Sequence, residues 1–258
     1  MNAASGLRDV LTLLMRRTLD VVLPPQCLSC DALVDSANAL CASCWTGVTW
    51  IAAPYCECCG LPFDFDPAPS RAESILCTGC LGERPEFSRA RAAFRYDDGG
   101  KRLVLGLKFA DRTGGVPAFG RWLARAGAEL LVDADVVAPV PMHWTRLAWR
   151  RYNQSALLAL AVARAGGRTC IADLLVRRRR TPPQGELGRR ERWRNVRGAF
   201  AVNRRHEAAV SGARVVLVDD VLTTGATARH CARALLAAGA ASVDLLTLAR
   251  VVRPGADG

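Results

Sequence analysis

Residues 214–240 read RVVLVDDVLTTGATARHCARALLAAGA. The apolar run Val215 to Val218 reads as a buried parallel strand, with Asp219 and Asp220 emerging at its carboxyl end. Thr223, Thr224, Gly225, Ala226 and Thr227 follow as a turn that opens a helix. In open α/β sheets, ligands bind beyond the carboxyl ends of the strands. The unbonded N–H groups of a helix start, with the positive end of its dipole, hold a phosphate without any basic side chain. Two carboxylates would repel that phosphate, but they accept hydrogen bonds from vicinal hydroxyls and can help to hold Mg²⁺. The stretch therefore fits a sugar phosphate. A response-regulator receiver also has an acid pair after an apolar strand, but near its start, and too little chain follows Asp220 for that fold. A P-loop needs Gly-Lys-Ser/Thr, which this turn lacks, and a plain strand end with a capping threonine is the remaining alternative.

The same texture extends upstream. ARAAFRY (90–96) reads as a strand, and GKRLVLGLKFA (100–110) and AFGRWLARAGAELL (118–131) as helices. DADVVAPVP (133–141) reads as a buried strand, SALLALAVARA (155–165) as a helix and SVDLLTLARVV (242–252) as a final strand. Strands alternating with helices predict an α/β fold, a parallel sheet with helices on both faces. Residues 177–205, RRRRTPPQGELGRRERWRNVRGAFAVNRR, interrupt this pattern with eleven arginines against two glutamates, a local +9. They read as a solvated basic excursion from the domain.

Nine of the eleven cysteines lie between Cys27 and Cys80, in a loop-rich stretch running to residue 85. They form four Cys-x-x-Cys pairs, Cys27 and Cys30, Cys41 and Cys44, Cys56 and Cys59, Cys77 and Cys80, with Cys58 inside the third. Two such turns supply the four thiolates of a tetrahedral site, for which zinc is the first expectation and iron–sulfur the second. Pairing in sequence order gives two structural zinc sites; interleaved pairing is the alternative, and free thiols or disulfides the non-metal readings. With all four positions filled by protein, neither site activates water.

The chain of 258 residues carries Lys+Arg 35 against Asp+Glu 24, a formal +11. Only Lys101 and Lys108 are lysines. Arginine pairs planar oxyanions in a bidentate way, which suits phosphate partners, although a bias toward arginine codons has the same effect. Trp193 amid Arg189, Arg190, Arg192 and Arg194 has the mixture of charge and stacking that tracks single-stranded DNA. At the N-terminus, Leu7, Val10, Leu11, Leu14 and Thr18 follow helical spacing, which predicts an amphipathic helix packed on the body or lying on a surface. Arg8, Asp9, Arg16 and Arg17 interrupt that stretch, unlike a secretory signal, and no run is long and apolar enough to span a membrane, so the expected compartment is the cytosol. Trp45, Trp50 and Ile51 either pack around the metal module or form a face for a partner protein.

The VDDVLTTGAT loop resembles the phosphoribosyl pyrophosphate motif of type I phosphoribosyltransferases. With CLSC, CASC, CECC and CTGC before it, then LKFADR, VVAPVPMHWTRLAWRRYNQSALLA and RTPPQGELGRRERWRNVRGAF, the chain resembles the ComF/GntX family. That resemblance implies a type I phosphoribosyltransferase-like fold behind a double zinc ribbon. The implied organisation is an N-terminal helix at 1–24, a double zinc ribbon at 25–85 and the phosphoribosyltransferase-like domain at 90–252, with 177–205 as its hood. Asp219 and Asp220 would bind ribose hydroxyls, and Thr223, Thr224, Gly225, Ala226 and Thr227 the 5-phosphate. Arg150, Asn153 and Gln154, with Arg146 and Lys108, would face the pyrophosphate. Arg151 stands where the family has glycine. Gln184, Leu187, Arg190, Asn195, Ala199 and Phe200 match hood positions on the base-accepting side. The cofactors implied are two zinc ions and Mg²⁺ with phosphoribosyl pyrophosphate. The process implied is natural competence or nucleotide recycling, with single-stranded DNA and DNA-processing proteins of transformation as partners. A binding protein without catalysis and a zinc-module scaffold are the competing readings.

Overall fold

The computed structural model describes residues 24–64, 75–109, 113–142, 152–178 and 198–252. Two short helices, α1 (Ala42–Thr46) and α2 (Thr78–Gly82), belong to the cysteine-rich region. Then follow β1 (Ala90–Arg95), α3 (Asp98–Phe109), α4 (Val116–Ala126), α5 (Ala128–Asp133), β2 (Val136–Pro139), α6 (Gln154–Gly166), β3 (Thr169–Cys170), β4 (Leu175–Arg177), β5 (Phe200–Val202), α7 (Glu207–Val210), β6 (Arg214–Leu222), α8 (Ala226–Ala237) and β7 (Ser242–Arg250). The N-terminal helix expected at 1–24 falls almost wholly outside the described residues. Among the described residues, no helix is long and apolar enough to cross a membrane.

Five strands form one parallel sheet in the order β1-β7-β6-β2-β3. Its central strands are apolar at successive positions because both faces are covered. Val215 and Leu217 of β6 join one core with Cys231 and Leu235 of α8, whereas Val216 and Val218 join the other with Phe119 of α4 and Leu158 of α6. Each fully buried leucine in these cores, such as Leu217 or Leu158, contributes about 2 kcal/mol by leaving water.

Connections run outward in opposite directions from the middle of the sheet. From β2 the chain passes through α6 to β3 on one side, and from β6 it passes through α8 to β7 on the other. The crevice between the carboxyl ends of β2 and β6 is thus the switch point where α/β sheets bind ligands.

Three local features depart from the periodicity. The helix expected at 118–131 is two helices broken at Gly127, where a β carbon would lie 2.7 Å from a methyl of Leu246. Strand β6 continues through both aspartates to Leu222, because β7 pairs with it as far as Arg250. Finally, β4 and β5 pair antiparallel at the two ends of the basic excursion, with the Arg177 guanidinium 5.3 Å from the Phe200 ring centre. Residues 179–197 between them lie outside the described residues.

Candidate functional site

Helix α8 starts from Gly225 at φ 75° and ψ 0°, a left-handed conformation that costs most side-chain-bearing residues about 1–2 kcal/mol. The first bond of the helix runs from Arg229 N to Gly225 O at 2.8 Å, and no side chain caps this end. The amides ahead of that bond therefore face the crevice mouth as donors. A β carbon on Gly225 would approach nothing closer than Leu222 Cδ1 at 3.6 Å, so the cradle is open. Thr223 is exposed, while the Oγ1 of Thr224 is buried without a hydrogen-bond partner among the described residues. Leaving a buried hydroxyl unmet costs about 1–3 kcal/mol, which a polar occupant of the cradle would offset.

The two aspartates have different partners. Asp219 Oδ1 accepts from Ser155 Oγ at 2.8 Å and from the Asp220 amide at 2.9 Å. Asp220 Oδ2 lies 2.9 Å from Lys108 Nζ, at the end of α3. Burial first, and the Asp220 charge second, push the Asp219 carboxyl up to about 7, against the opposing pull of Ser155, the Asp220 amide and Lys108. Two neighbouring carboxylates are thus divided, one balanced by a cation and one poised to ionise near neutrality.

At the start of α6, Asn153 is the N-cap: its Oδ1 accepts from Ser155 N at 3.1 Å, and its Nδ2 donates to Val140 O at 3.3 Å. Gln154 is 1% exposed, and neither atom of its amide has a hydrogen-bond partner among the described residues. Tyr152 donates to Leu107 O at 3.0 Å, tying this segment to the helix that carries Lys108. The structure thus brings Lys108, Asn153 and Gln154 to the same end of the sheet as the acid pair. Arg146, Arg150 and Arg151, like Gln184, Leu187, Asn195 and the basic set Arg189, Arg190, Arg192, Trp193 and Arg194, lie outside the described residues. Ala199 and Phe200 are buried at the base of the hood. His230 is buried in α8.

Eight thiols gather into two sets in sequence order, Cys27, Cys30, Cys41 and Cys44, then Cys56, Cys59, Cys77 and Cys80, with all sulfurs of a set within 4.8 Å of one another. Sulfur separations of 3.6 Å, between Cys30 and Cys41 and between Cys59 and Cys77, are close to the about 3.8 Å edge of a tetrahedral zinc–sulfur site. Unneutralised, each set splits. Despite burial, amides of Cys41, Ser29 and Cys30 hold Cys27 near 6, while burial pushes Cys44 up to about 12. A hydrogen bond from Cys59 holds Cys56 near 4 and pushes Cys59 itself far up. Such crowding of thiolates is relieved by a divalent ion, so the donor sets fit structural zinc. Cys58, buried beside Cys80, belongs to neither set. Trp45, although 48% exposed, packs its ring 4.5 Å from Trp50, which in turn meets Trp122 at 5.0 Å.

Comparison with known proteins places two family models on the chain: a double zinc ribbon domain over residues 18–81 and a phosphoribosyl transferase domain over residues 155–255. The DNA utilization protein YhgH of Salmonella typhimurium is 35% identical over 204 residues, 76% of this chain and 84% of that protein. Competence protein F of Haemophilus influenzae is 27% identical across 87% of this chain and 96% of its own, and competence protein ComFC of Bacillus subtilis 26% across 87% and 94%. The chain belongs to the ComF/GntX family. In this ComF/GntX chain the zinc-ribbon model covers both thiol sets, and the phosphoribosyltransferase model begins at Ser155, covering α6, the acid pair and the cradle. Ser155, which donates to Asp219, is a residue of the candidate site that the sequence did not single out. Its signal was local, a serine just inside the helix that follows Asn153, but its target lies 64 residues away.

Proposed function

We propose that this ComF/GntX protein binds phosphoribosyl pyrophosphate, or another ribose 5-phosphate, in the crevice between β2 and β6. It would act as a phosphoribosyltransferase in natural competence, DNA uptake or nucleotide recycling. One observation carries the reading: an open, glycine-started helix terminus follows directly on an acid pair at the switch point of a parallel sheet. The amides of residues 225–227, with the hydroxyls of Thr223, Thr224 and Thr227, receive the 5-phosphate. Asp219 and Asp220 accept from the ribose hydroxyls. Lys108 and the unpartnered amide of Gln154 stand on the pyrophosphate side, where Asn153 fixes the start of α6. Transfer breaks the bond from the anomeric carbon to the pyrophosphate oxygen and forms one to an acceptor nitrogen, whose proton passes to solvent. Mg²⁺, when bound with the substrate, supplies neutralising charge to the pyrophosphate. The residues of the chain supply fixed donors and a dry floor, the preorganised electrostatics on which such a reaction depends.

Calorimetry with phosphoribosyl pyrophosphate, with and without Mg²⁺, tests binding, and pyrophosphate release across a panel of nucleobases tests turnover. Binding that Asp220→Ala abolishes is expected; absence of binding at millimolar ligand overturns the reading. A second reading, a competence factor that grips single-stranded DNA without catalysis, is favoured by the +9 of residues 177–205 and by the names of the relatives. It requires DNA affinity that falls steeply with salt and more gently once Arg189, Arg190, Arg192 and Arg194 are replaced.

A further inference from the structure

The second thiol set and the helix that bears the cradle share one core. Cys56, Cys59, Cys77, Cys80 and Phe87 are buried in the same cluster as Leu222, Ala226, Ala228 and Cys231. Five polar contacts reinforce that packing, three from α8 and two from β7. Arg229 in the first turn of α8 donates through Nε to Glu86 Oε2 at 2.6 Å and through Nη2 to Glu83 Oε1 at 2.6 Å, and Arg233 one turn on also pairs with Glu86. Glu83 is the C-cap of α2, the helix that presents Cys80. At the end of β7, Arg250 donates to Cys59 O at 2.6 Å and to Cys59 Sγ at 3.2 Å. A β carbon on Gly225 would lie 3.9 Å from the Phe87 ring, one residue beyond Glu86. The turn at residues 56–60 is also pressed onto the sheet: Ala90 N donates to Cys58 O at 2.7 Å, and a β carbon on Gly60 would strike Ala90 O at 2.4 Å.

These links give Arg229 a position between two structures. It lies in the turn whose amides form the cradle, and its guanidinium is held by two glutamates whose backbone follows the last thiol pair. We propose that Glu86 and Arg229 are positioning residues through which the second thiol set fixes the first turn of α8, so that metal at that set and anion at the cradle stabilise one another. The first set makes no corresponding polar link to α8 among the described residues, so only the second set is coupled. Coupling of this kind is reciprocal: whatever metal adds to anion binding, the anion adds to metal retention. The anion half rests on the proposed function; the mechanical half does not.

The mechanical half is tested without ligand, by amide hydrogen exchange in the full-length zinc-loaded protein. Glu86→Gln keeps the size of the side chain and removes its charge. It is expected to speed exchange of the hydrogen-bonded amides of residues 229–232 roughly tenfold, as loss of a charge-assisted bond implies, with zinc content unchanged. Withdrawing zinc with a chelator should speed the same amides, and Glu86→Gln should add little once it is gone. Unchanged exchange at 229–232 in both cases overturns the proposal. The anion half is read by mass spectrometry of alkylated cysteines. Phosphoribosyl pyrophosphate should slow alkylation of Cys56, Cys59, Cys77 and Cys80 several-fold, leave Cys27, Cys30, Cys41 and Cys44 unaffected, and lose this effect in Glu86→Gln. Ligand that binds by calorimetry yet protects both sets alike, or neither, defeats the coupling. If the ligand fails to bind while the exchange result holds, the proposed function falls and the positioning role stands.

Discussion

Lys108 Nζ stands 2.9 Å from Asp220 Oδ2, and this ion pair joins the end of α3 to the carboxyl end of β6. Both side chains are largely sheltered from solvent, so each neutralises the other where screening by water is weak. The position is occupied by one of only two lysines in a chain that otherwise uses arginine. A lysine is a compact charge on a flexible stem, able to leave one oxygen for another. In the proposed function it would leave Asp220 for the pyrophosphate as the ribose hydroxyls arrive.

Removing that charge should therefore discriminate between ligands. Lys108→Met is expected to weaken phosphoribosyl pyrophosphate by roughly tenfold or more, the effect of losing a hydrogen bond to a charged group. Ribose 5-phosphate, which has no pyrophosphate, should be weakened much less. Calorimetry with the two ligands side by side measures the difference; equal losses would remove Lys108 from the pyrophosphate side.

Asp219 makes the protein sensitive to pH in a defined direction. Its carboxyl is raised from an ordinary value near 3.8 to about 7, so the folded protein retains a proton that the unfolded chain has lost. The contribution of this group to stability consequently falls as pH rises from about 4 to about 7, and levels off above that. Asp219→Asn should gain stability relative to the parent across that window, by urea unfolding, with a constant difference above pH 8. Ser155→Ala, which deletes a bond that favours the charged form, should move the upper end of the window to higher pH. Ligand affinity should run the opposite way, strengthening as Asp219 ionises and becomes an acceptor.

Gly225 has space for a methyl group but not the backbone for one. Gly225→Ala should lower Tm by roughly 3–6 °C, from about 1–2 kcal/mol of left-handed strain in a chain of this length. Differential scanning calorimetry gives the stability term. Loss of ligand binding beyond it would mark displacement of the cradle amides.

Metal analysis of the purified protein should find about two zinc ions per chain, falling to about one in Cys56→Ser and staying at two in Cys58→Ser. Loss of both should shift the emission of Trp45 and Trp50, whose rings pack against one another at a tilt of 38°, Trp45 next to Cys44 of the first set. A protein that keeps its fold with no metal at all would be inconsistent with a structural role for either site.

The amino-acid sequence by itself determined the local units. A strand of continuous apolar residues, an acid pair and a glycine turn opening a helix are legible in residues 214–240 because each depends on neighbours within one or two turns of chain. Four Cys-x-x-Cys turns are legible for the same reason. Tertiary structure alone decided that the pairs combine in order, that Ser155 reaches Asp219, that Lys108 faces Asp220, and that Glu86 holds Arg229 across 143 residues. It also decided the ends: β6 outruns its apolar stretch because β7 lies beside it, and β4 and β5 are too short to announce themselves without each other. Periodicity records what a residue needs from its own segment, whereas a partner from another segment is chosen only when the sheet twists, the helices cover it and distant side chains are brought within hydrogen-bonding reach.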